Sequence, residues 1–108
     1  MTIGRFTALA LVAAALPLWG GAAVAPTRHV VVVDQMKFGP LPATLHVGDT
    51  IVWINHDLFR HSATARDGSF DLDLPAGGSG TIVLRKAGAI AFACKYHPGM
   101  RGVIRVAK

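Results

Sequence analysis

Short apolar runs, separated by Gly, Pro and Asp, follow one another along the chain from residue 29 onward. Their lengths and Val, Ile and Thr contents are typical of β-strands, and they span 29–36, 45–47, 50–55, 62–65, 70–74, 81–84, 89–93 and 103–106. No stretch is long and periodic enough to predict a helix. Short strands at this spacing predict an all-β fold, a two-sheet β-sandwich of about seven or eight strands.

Three neighbouring segments indicate how the sandwich is organised. The run 50–55 carries Trp53 among aliphatic residues, which fits a buried strand. In 70–74, Phe70, Leu72 and Leu74 alternate with polar residues, the period-two pattern of a half-buried edge strand. The run 75–80 is Pro-Ala-Gly-Gly-Ser-Gly, and it predicts a loop because Gly and Pro are poor strand formers.

The N-terminal residues have the pattern of a secretory signal peptide. Arg5 supplies a positive start, an uncharged apolar stretch fills 6–19, and the small residues of 20–25 resemble a cleavage region. The apolar stretch is shorter than the roughly 18 residues of a spanning helix. We therefore predict a signal peptide over 1–25 and one domain over 26–108, periplasmic or otherwise exported. Cleavage after Ala23 or after Ala25 fits the pattern, and retention as an anchor stays open; a cleaved protein should not insert stably into a membrane.

Charge favours acidic partners and argues against nucleic acid. With Arg5 removed, ten of the eleven basic residues remain against six acidic ones, a net charge of about +4. These basic residues are scattered, and export separates the protein from nucleic acid. We expect a monomer.

Cys94 is the single cysteine of the chain, so it cannot form an internal disulfide. A lone thiol in an exported protein is a liability unless something occupies it, and a bound metal does so. His97 and Met100 follow Cys94 at three-residue intervals. Pro98 disfavours a helix here, so the stretch 94–100 is predicted to wrap as a loop. Thiolate, imidazole and thioether donors together suit copper.

A fourth ligand must come from another histidine, and the candidates are His29, His46, His56 and His61. His29 and His46 lie in predicted strands and are expected to be solvated or hydrogen-bonded there. The other two share the loop after the 50–55 strand, which could meet the Cys94 loop. His61 opens the next strand and can be held rigidly, whereas His56 lies between Asn55 and Asp57, residue types that favour turns.

Several motifs share their residues and spacing with one known family. They are Trp53-Ile54-Asn55, His61 six residues after Asn55, Lys86-Ala87-Gly88, and Cys94, His97 and Met100 followed by Arg101-Gly102-Val103. They resemble the cupredoxins, the type 1 blue-copper proteins, over about residues 30–106. Within that family the chain is most similar to the amicyanin group, whose ligand loop has the same short spacing. The resemblance implies a Greek-key sandwich.

The resemblance also implies roles for individual residues. His61, Cys94 and His97 match the strong in-plane ligands of one copper ion, and Met100 matches the weak axial ligand. Asn55 matches an asparagine that braces the two ligand loops by hydrogen bonding. The implied cofactor is a single copper ion that alternates between Cu(I) and Cu(II).

Tyr96 departs from the group, which has Pro at this position. Unlike Pro, Tyr carries a backbone N–H, which is available to the Cys94 sulfur. Because a donor to this sulfur weakens its bonding to Cu(II), we hypothesise a higher reduction potential than Pro would give.

The resemblance places the edge of His97 at the surface, where electrons enter or leave. The apolar residues expected around it are Met36, Phe59, Tyr96 and Pro98, and the cations expected around those are Arg60, Lys95 and Arg101. A small apolar patch ringed by positive charge suits brief docking to a redox partner with an acidic surface.

These observations predict a small exported protein that carries single electrons between redox partners. Protein groups occupy all four ligand positions, which leaves no open site for a substrate and argues against an enzyme. The alternative is a copper-binding protein for delivery or tolerance, which would use the same ligands and exchange its metal.

Overall fold

The computed structural model describes Gly4 and residues 25–108, and the latter form two β-sheets around a common core. This described part contains nine strands and no helix. In chain order they are β1 (Arg28–Asp34), β2 (Lys37–Phe38), β3 (Leu45–His46), β4 (Thr50–Asn55), β5 (His61–Ala65), β6 (Asp71–Leu74), β7 (Ser79–Val83), β8 (Gly88–Ala93) and β9 (Arg101–Ala107).

The strands are ordered β2-β1-β4-β7 in one sheet and β3-β9-β8-β5-β6 in the other. β1 runs parallel to β4, and β3 runs parallel to β9, while the remaining neighbours are antiparallel. β8 and β9 pair from Gly88 opposite Val106 to Ala93 opposite Arg101. β5 pairs with β8 through Thr64 opposite Ala93, so the start of β5 lies beside the loop that follows β8.

The core lies between the sheets and centres on Trp53 of β4, which is fully buried. Phe38, Phe70 and Phe92 surround its ring, with centroids between 5.2 and 6.1 Å away. Burial of an aromatic or branched aliphatic side chain contributes about 1.5 to 3 kcal/mol, so this cluster is a large part of the stability of a small domain. Within the part of the chain that the structure describes, the indole N–H of Trp53 has no hydrogen-bond partner.

The structure confirms the all-β sandwich and the edge position of β6, but the predicted strand count of seven or eight is too low. The additional strand is β2, which pairs with β1 across the turn residues Gln35 and Met36. Both turn residues have positive φ angles, 51° and 60°, although neither is Gly. The turn lacks the Asn-Gly or Asp-Gly signature of such hairpins, so the sequence reads as one continuous strand over 29–36.

The prediction that 75–80 is entirely loop is also wrong, because Ser79 and Gly80 begin β7. Gly80 pairs with Trp53 of β4 and lies under the side chain of Leu72. A Cβ atom at Gly80 would come within 2.6 Å of a Leu72 methyl carbon, so a side chain here would displace that of Leu72.

The predicted signal peptide, residues 1–25, lies outside the described residues apart from Gly4 and Ala25. It remains a prediction, as does the domain boundary that follows it. The described residues contain no helix with the length and apolar character needed to span a membrane.

Candidate metal centre

Cys94 follows the last residue of β8 and is 1% exposed. Its N–H donates to the carbonyl of Met100 over 3.0 Å, and the N–H of Met100 donates to the carbonyl of His97 over 2.8 Å. These two bonds fold the predicted loop back on itself, so three of the four predicted ligands occupy one compact turn between β8 and β9. Met100 is buried and His97 is half-buried.

His61 begins β5 and is fully buried. Its Nδ1 atom lies 3.7 Å from the Sγ atom of Cys94, although the two residues are 33 positions apart in sequence. The ring of His97 meets the ring of His61 edge to face, with centroids 4.9 Å apart. The two predicted ligand loops therefore meet at one end of the sandwich.

The carboxylate of Asp57 sets which nitrogen of His61 carries the proton. The Nε2 atom of His61 lies 2.7 Å from Oδ2 of Asp57. A carboxylate only accepts hydrogen bonds, so Nε2 is the protonated nitrogen, and Nδ1 presents its lone pair toward the Cys94 sulfur. The pKa of Asp57 is lowered, first by the N–H of Met36 and then by His61 and the N–H of Gln35, against the opposing effect of desolvation.

Ser62 joins the two loops and was missed by the sequence reasoning. Its N–H donates to Sγ of Cys94 over 3.3 Å, and its Oγ accepts the N–H of Lys95 over 2.8 Å. The hydroxyl also bonds to Oγ1 of Thr64 over 2.9 Å. The sequence did carry a signal for this role. Ser62 directly follows a candidate ligand inside a short buried strand, and a buried hydroxyl requires hydrogen-bond partners.

Tyr96 does not provide the hydrogen bond to sulfur that we hypothesised. In the described part of the chain the N–H of Ser62 donates to Sγ of Cys94, and no such bond comes from Tyr96. The hydroxyl of Tyr96 instead donates to Oδ1 of Asp73 on β6, over 2.9 Å. This side-chain bond holds the middle of the loop against the sheet edge.

Asn55 is fully buried at the end of β4. Its Nδ2 donates to the carbonyls of Phe59 and Leu74 over 2.8 and 3.0 Å, with the Pro75 carbonyl also within 3.2 Å. Its Oδ1 accepts the N–H of Asp57 over 2.9 Å. Asn55 thus ties the His61 loop to the β6–β7 connection. We expected Asn55 to brace the His61 loop against the Cys94 loop. Its hydrogen bonds reach the β6–β7 connection instead, and Ser62 is the residue that bonds to the Cys94 loop.

The other histidines lie away from this site. Nε2 of His29 bonds to Oδ2 of Asp49 over 3.0 Å, and Nδ1 of His46 lies 4.0 Å from the same oxygen. The pKa of Asp49 falls from 3.8 to about 2, first because it accepts the N–H of Thr27 and next because of His29. His56 is exposed in the loop before His61.

The donors at the site are a thiol, two imidazoles and a thioether, which suit a soft or borderline ion such as copper. In residues 25–108, His, Cys, Asp and Glu side chains alone make no group of three that could hold a metal ion. Met100, buried in the same loop as Cys94, and His97, whose ring meets that of His61, are the further donors available to a metal here. The lone pair of His61 Nδ1, aimed at the Cys94 sulfur, fits that arrangement.

The surface predicted around His97 carries exposed apolar side chains. Phe59 is 59% exposed, and its ring lies 6.4 Å from that of His97. Leu58, which the sequence reasoning did not include, is 91% exposed beside it. Together with Met36, Tyr96 and Pro98, which are also exposed, these residues form what we call the His97 face.

The three cations predicted around this face differ in their pairing. Nζ of Lys95 lies 2.9 Å from a carboxylate oxygen of Asp71, and Nε of Arg60 lies 3.9 Å from Asp73. Arg101 is exposed and forms no ion pair within the described residues. Of the three cations, Arg101 is therefore the one whose charge is least offset by a nearby carboxylate.

Comparison with known proteins agrees with the geometry. A model of the cupredoxin-like domain matches residues 7–106. The chain is 30% identical over 92 residues to amicyanin of Paracoccus versutus, covering 79% of this chain and 70% of that protein. A crystal structure of amicyanin from the same organism matches with a TM-score of 0.62 and 26% identity, over 73% of this chain and 80% of that one. A Cu(I) structure of an amicyanin variant gives the same TM-score and identity, over 73% and 81% of the two chains.

Proposed function

The chain belongs to the cupredoxin-like family, and from this membership we propose that it is a type 1 blue-copper protein that carries single electrons between redox partners. His61, Cys94 and His97 are the proposed strong ligands, and Met100 is the weaker fourth. Bound copper would supply one-electron chemistry by alternating between Cu(I) and Cu(II). The similarity to amicyanin, including structures described as Cu(I) forms, supports the choice of metal.

The single observation that carries the proposal is the 3.7 Å approach of His61 Nδ1 to Cys94 Sγ. Two metal-binding side chains, one at the start of β5 and one just after β8, meet in a buried position with the sulfur of Cys94 facing Nδ1 of His61. The hydrogen bond that His61 donates to Asp57 and the one that Cys94 accepts from Ser62 hold them in place. Groups held this way reorient little when the charge on a bound metal changes, which favours fast electron transfer over ligand exchange.

Electrons are proposed to pass through the exposed edge of His97. The His97 face is apolar and small, as expected for a partner that binds briefly. Arg101, with weaker help from the paired Arg60 and Lys95, is proposed to attract an acidic surface on that partner. Removal of residues 1–25 during export to the periplasm completes the proposal.

The test is the visible absorption and electron paramagnetic resonance of the protein loaded with Cu(II). We expect an intense thiolate-to-copper band in the wild type, and its loss in Cys94→Ala and His61→Ala. His56→Ala is the matched control, because His56 lies in the same loop and is exposed. A band that survives in Cys94→Ala, or that disappears in His56→Ala alone, contradicts the ligand set.

A further inference from the structure

The carboxylate of Asp57 contacts two functionally different parts of the molecule. Its Oδ2 accepts from Nε2 of His61 over 2.7 Å and from the N–H of Met36 over 2.9 Å, and its Oδ1 accepts the N–H of Gln35 over 2.8 Å. We propose that Asp57 is a positioning residue that fixes the tautomer and orientation of His61 and ties this ligand to the β1–β2 turn of the His97 face. Its consequence for bound copper rests on the proposed function.

The contact with His61 leaves the ring little freedom. The imidazole is fully buried, and the side chain of Asp57 is 10% exposed, so solvent cannot readily replace the carboxylate as the acceptor of Nε2–H. Without that acceptor, the proton could move to Nδ1, which would then face the Cys94 sulfur with a hydrogen instead of a lone pair. A ligand whose second nitrogen is held by a carboxylate has a defined tautomer and ring angle.

The contact with the turn offsets an unfavourable backbone conformation. Gln35 and Met36 both occupy the left-handed region, with φ of 51° and 60°, which side chains other than Gly rarely adopt. In this conformation, two successive N–H groups converge on one anion. The carboxylate of Asp57 is that anion. The N–H of Asp57 in turn donates to Oδ1 of Asn55, which fixes the loop that carries the carboxylate.

One oxygen, Oδ2, therefore joins a predicted metal ligand to the backbone of Met36, whose exposed side chain belongs to the His97 face. A displacement of the turn by a bound partner would be transmitted to His61 through this atom. Neither Met36 nor His61 reaches the other directly through a hydrogen bond, so removal of the carboxylate should uncouple them.

The first experiment uses the metal-free full chain in mildly alkaline solution, where free imidazole is neutral. Ring-nitrogen NMR should show His61 as the single Nε2-protonated tautomer in the wild type and as a mixture in Asp57→Ala, whereas Asp57→Asn keeps an amide oxygen that can accept from Nε2. Amide hydrogen exchange at Met36 should accelerate about tenfold or more, since its bond to a charged acceptor is lost, whereas the N–H of Gln35 keeps Oδ1 of Asp34 as a second acceptor at 2.9 Å. Asp67→Ala is the control, because this exposed carboxylate accepts from Ser69 and Lys86 and does not bond to His61.

A second variant separates positioning from folding. Gln35→Gly relieves the left-handed strain, so Asp57→Ala combined with Gln35→Gly should regain stability while the His61 tautomers stay mixed. Retention of a single tautomer in this double variant would overturn the proposal. So would unchanged amide exchange at Met36 in Asp57→Ala.

The metal-loaded protein provides an independent reading. Loss of a group that orients a ligand typically lowers metal affinity about 10- to 100-fold, so competition with a chelator should show weaker copper retention in Asp57→Ala than in Asp67→Ala. If His61 has mixed tautomers in Asp57→Ala but the copper-loaded wild type shows no thiolate-to-copper band, the role of Asp57 is supported and the proposed function is refuted. If the wild type shows a normal band but His61 keeps a single tautomer in Asp57→Ala, the proposed function is supported and the role of Asp57 is refuted.

Discussion

Replacing Asn55 by Ala should destabilise the domain severely for the size of the change. The side chain is fully buried and provides Nδ2 to the carbonyls of Phe59 and Leu74, and Oδ1 to the N–H of Asp57. Alanine leaves these groups without their partner. A buried polar group that loses its hydrogen bond costs about 1 to 3 kcal/mol, and part of that is recovered where water can enter from the exposed side of the loop. We therefore expect a loss of about 3 kcal/mol.

Urea unfolding of the metal-free protein, followed by circular dichroism, measures this loss directly. Because a small domain is stabilised by about 5 to 15 kcal/mol in total, the midpoint should move far toward lower urea concentration. Thr81→Ala is the matched control, since Thr81 is exposed on β7 next to β4 and should change stability by less than about 0.5 kcal/mol. An Asn55→Ala protein as stable as this control would refute the claim that the buried amide holds the His61 loop.

Three further predictions concern other parts of the molecule. Ser62→Ala leaves the N–H of Lys95 without its acceptor and should lower the free energy of unfolding by about 1 to 2 kcal/mol; Ser62→Thr, which keeps a hydroxyl, should lose less in the same urea assay. The lowered pKa of Asp49, about 2 against an ordinary 3.8, means that its contribution is complete above about pH 4 and is lost as the pH falls toward 2. Acid titration monitored by circular dichroism should therefore be less steep in that range for Asp49→Asn, and equal slopes would show that Asp49 is not responsible. Arg101→Glu should slow electron transfer with an acidic redox partner at low salt in stopped-flow measurements, and the difference should shrink as ionic strength rises; a rate equal to that of the wild type at every salt concentration would remove Arg101 from docking.

The elements that the sequence predicts well are those with strong local signals. The apolar run around Trp53 matches β4 at both ends, and Pro98 correctly predicts a loop after β8. The choice of His61 over His56 followed from rigidity at the start of a strand, and the structure places His61 beside Cys94. Hydrophobic pattern and backbone restriction suffice for such features because they act within a few residues.

The features that escaped prediction depend on contacts between distant residues. The hairpin turn at Gln35 and Met36 has no glycine, because the carboxylate of Asp57, 22 and 21 residues away, holds its N–H groups. Gly80 lies in a strand because β7 pairs with β4, where Gly80 is opposite Trp53. Pattern reading cannot anticipate either, since both need the relative position of two strands that the sequence does not encode locally.

The β8–β9 hairpin has a consequence for the order in which the domain is built. Cys94, His97 and Met100 all lie in the connection between two strands that pair directly, whereas His61 is 33 residues from Cys94. Closing the longer segment costs about 1.5 kcal/mol more in chain entropy than closing the short connection. A polypeptide that folds around an ion should therefore first offer it a three-donor hairpin, and β5 should arrive last. The order in which the four donors reach the ion would then depend on chain connectivity and not on the strength of each bond to the ion.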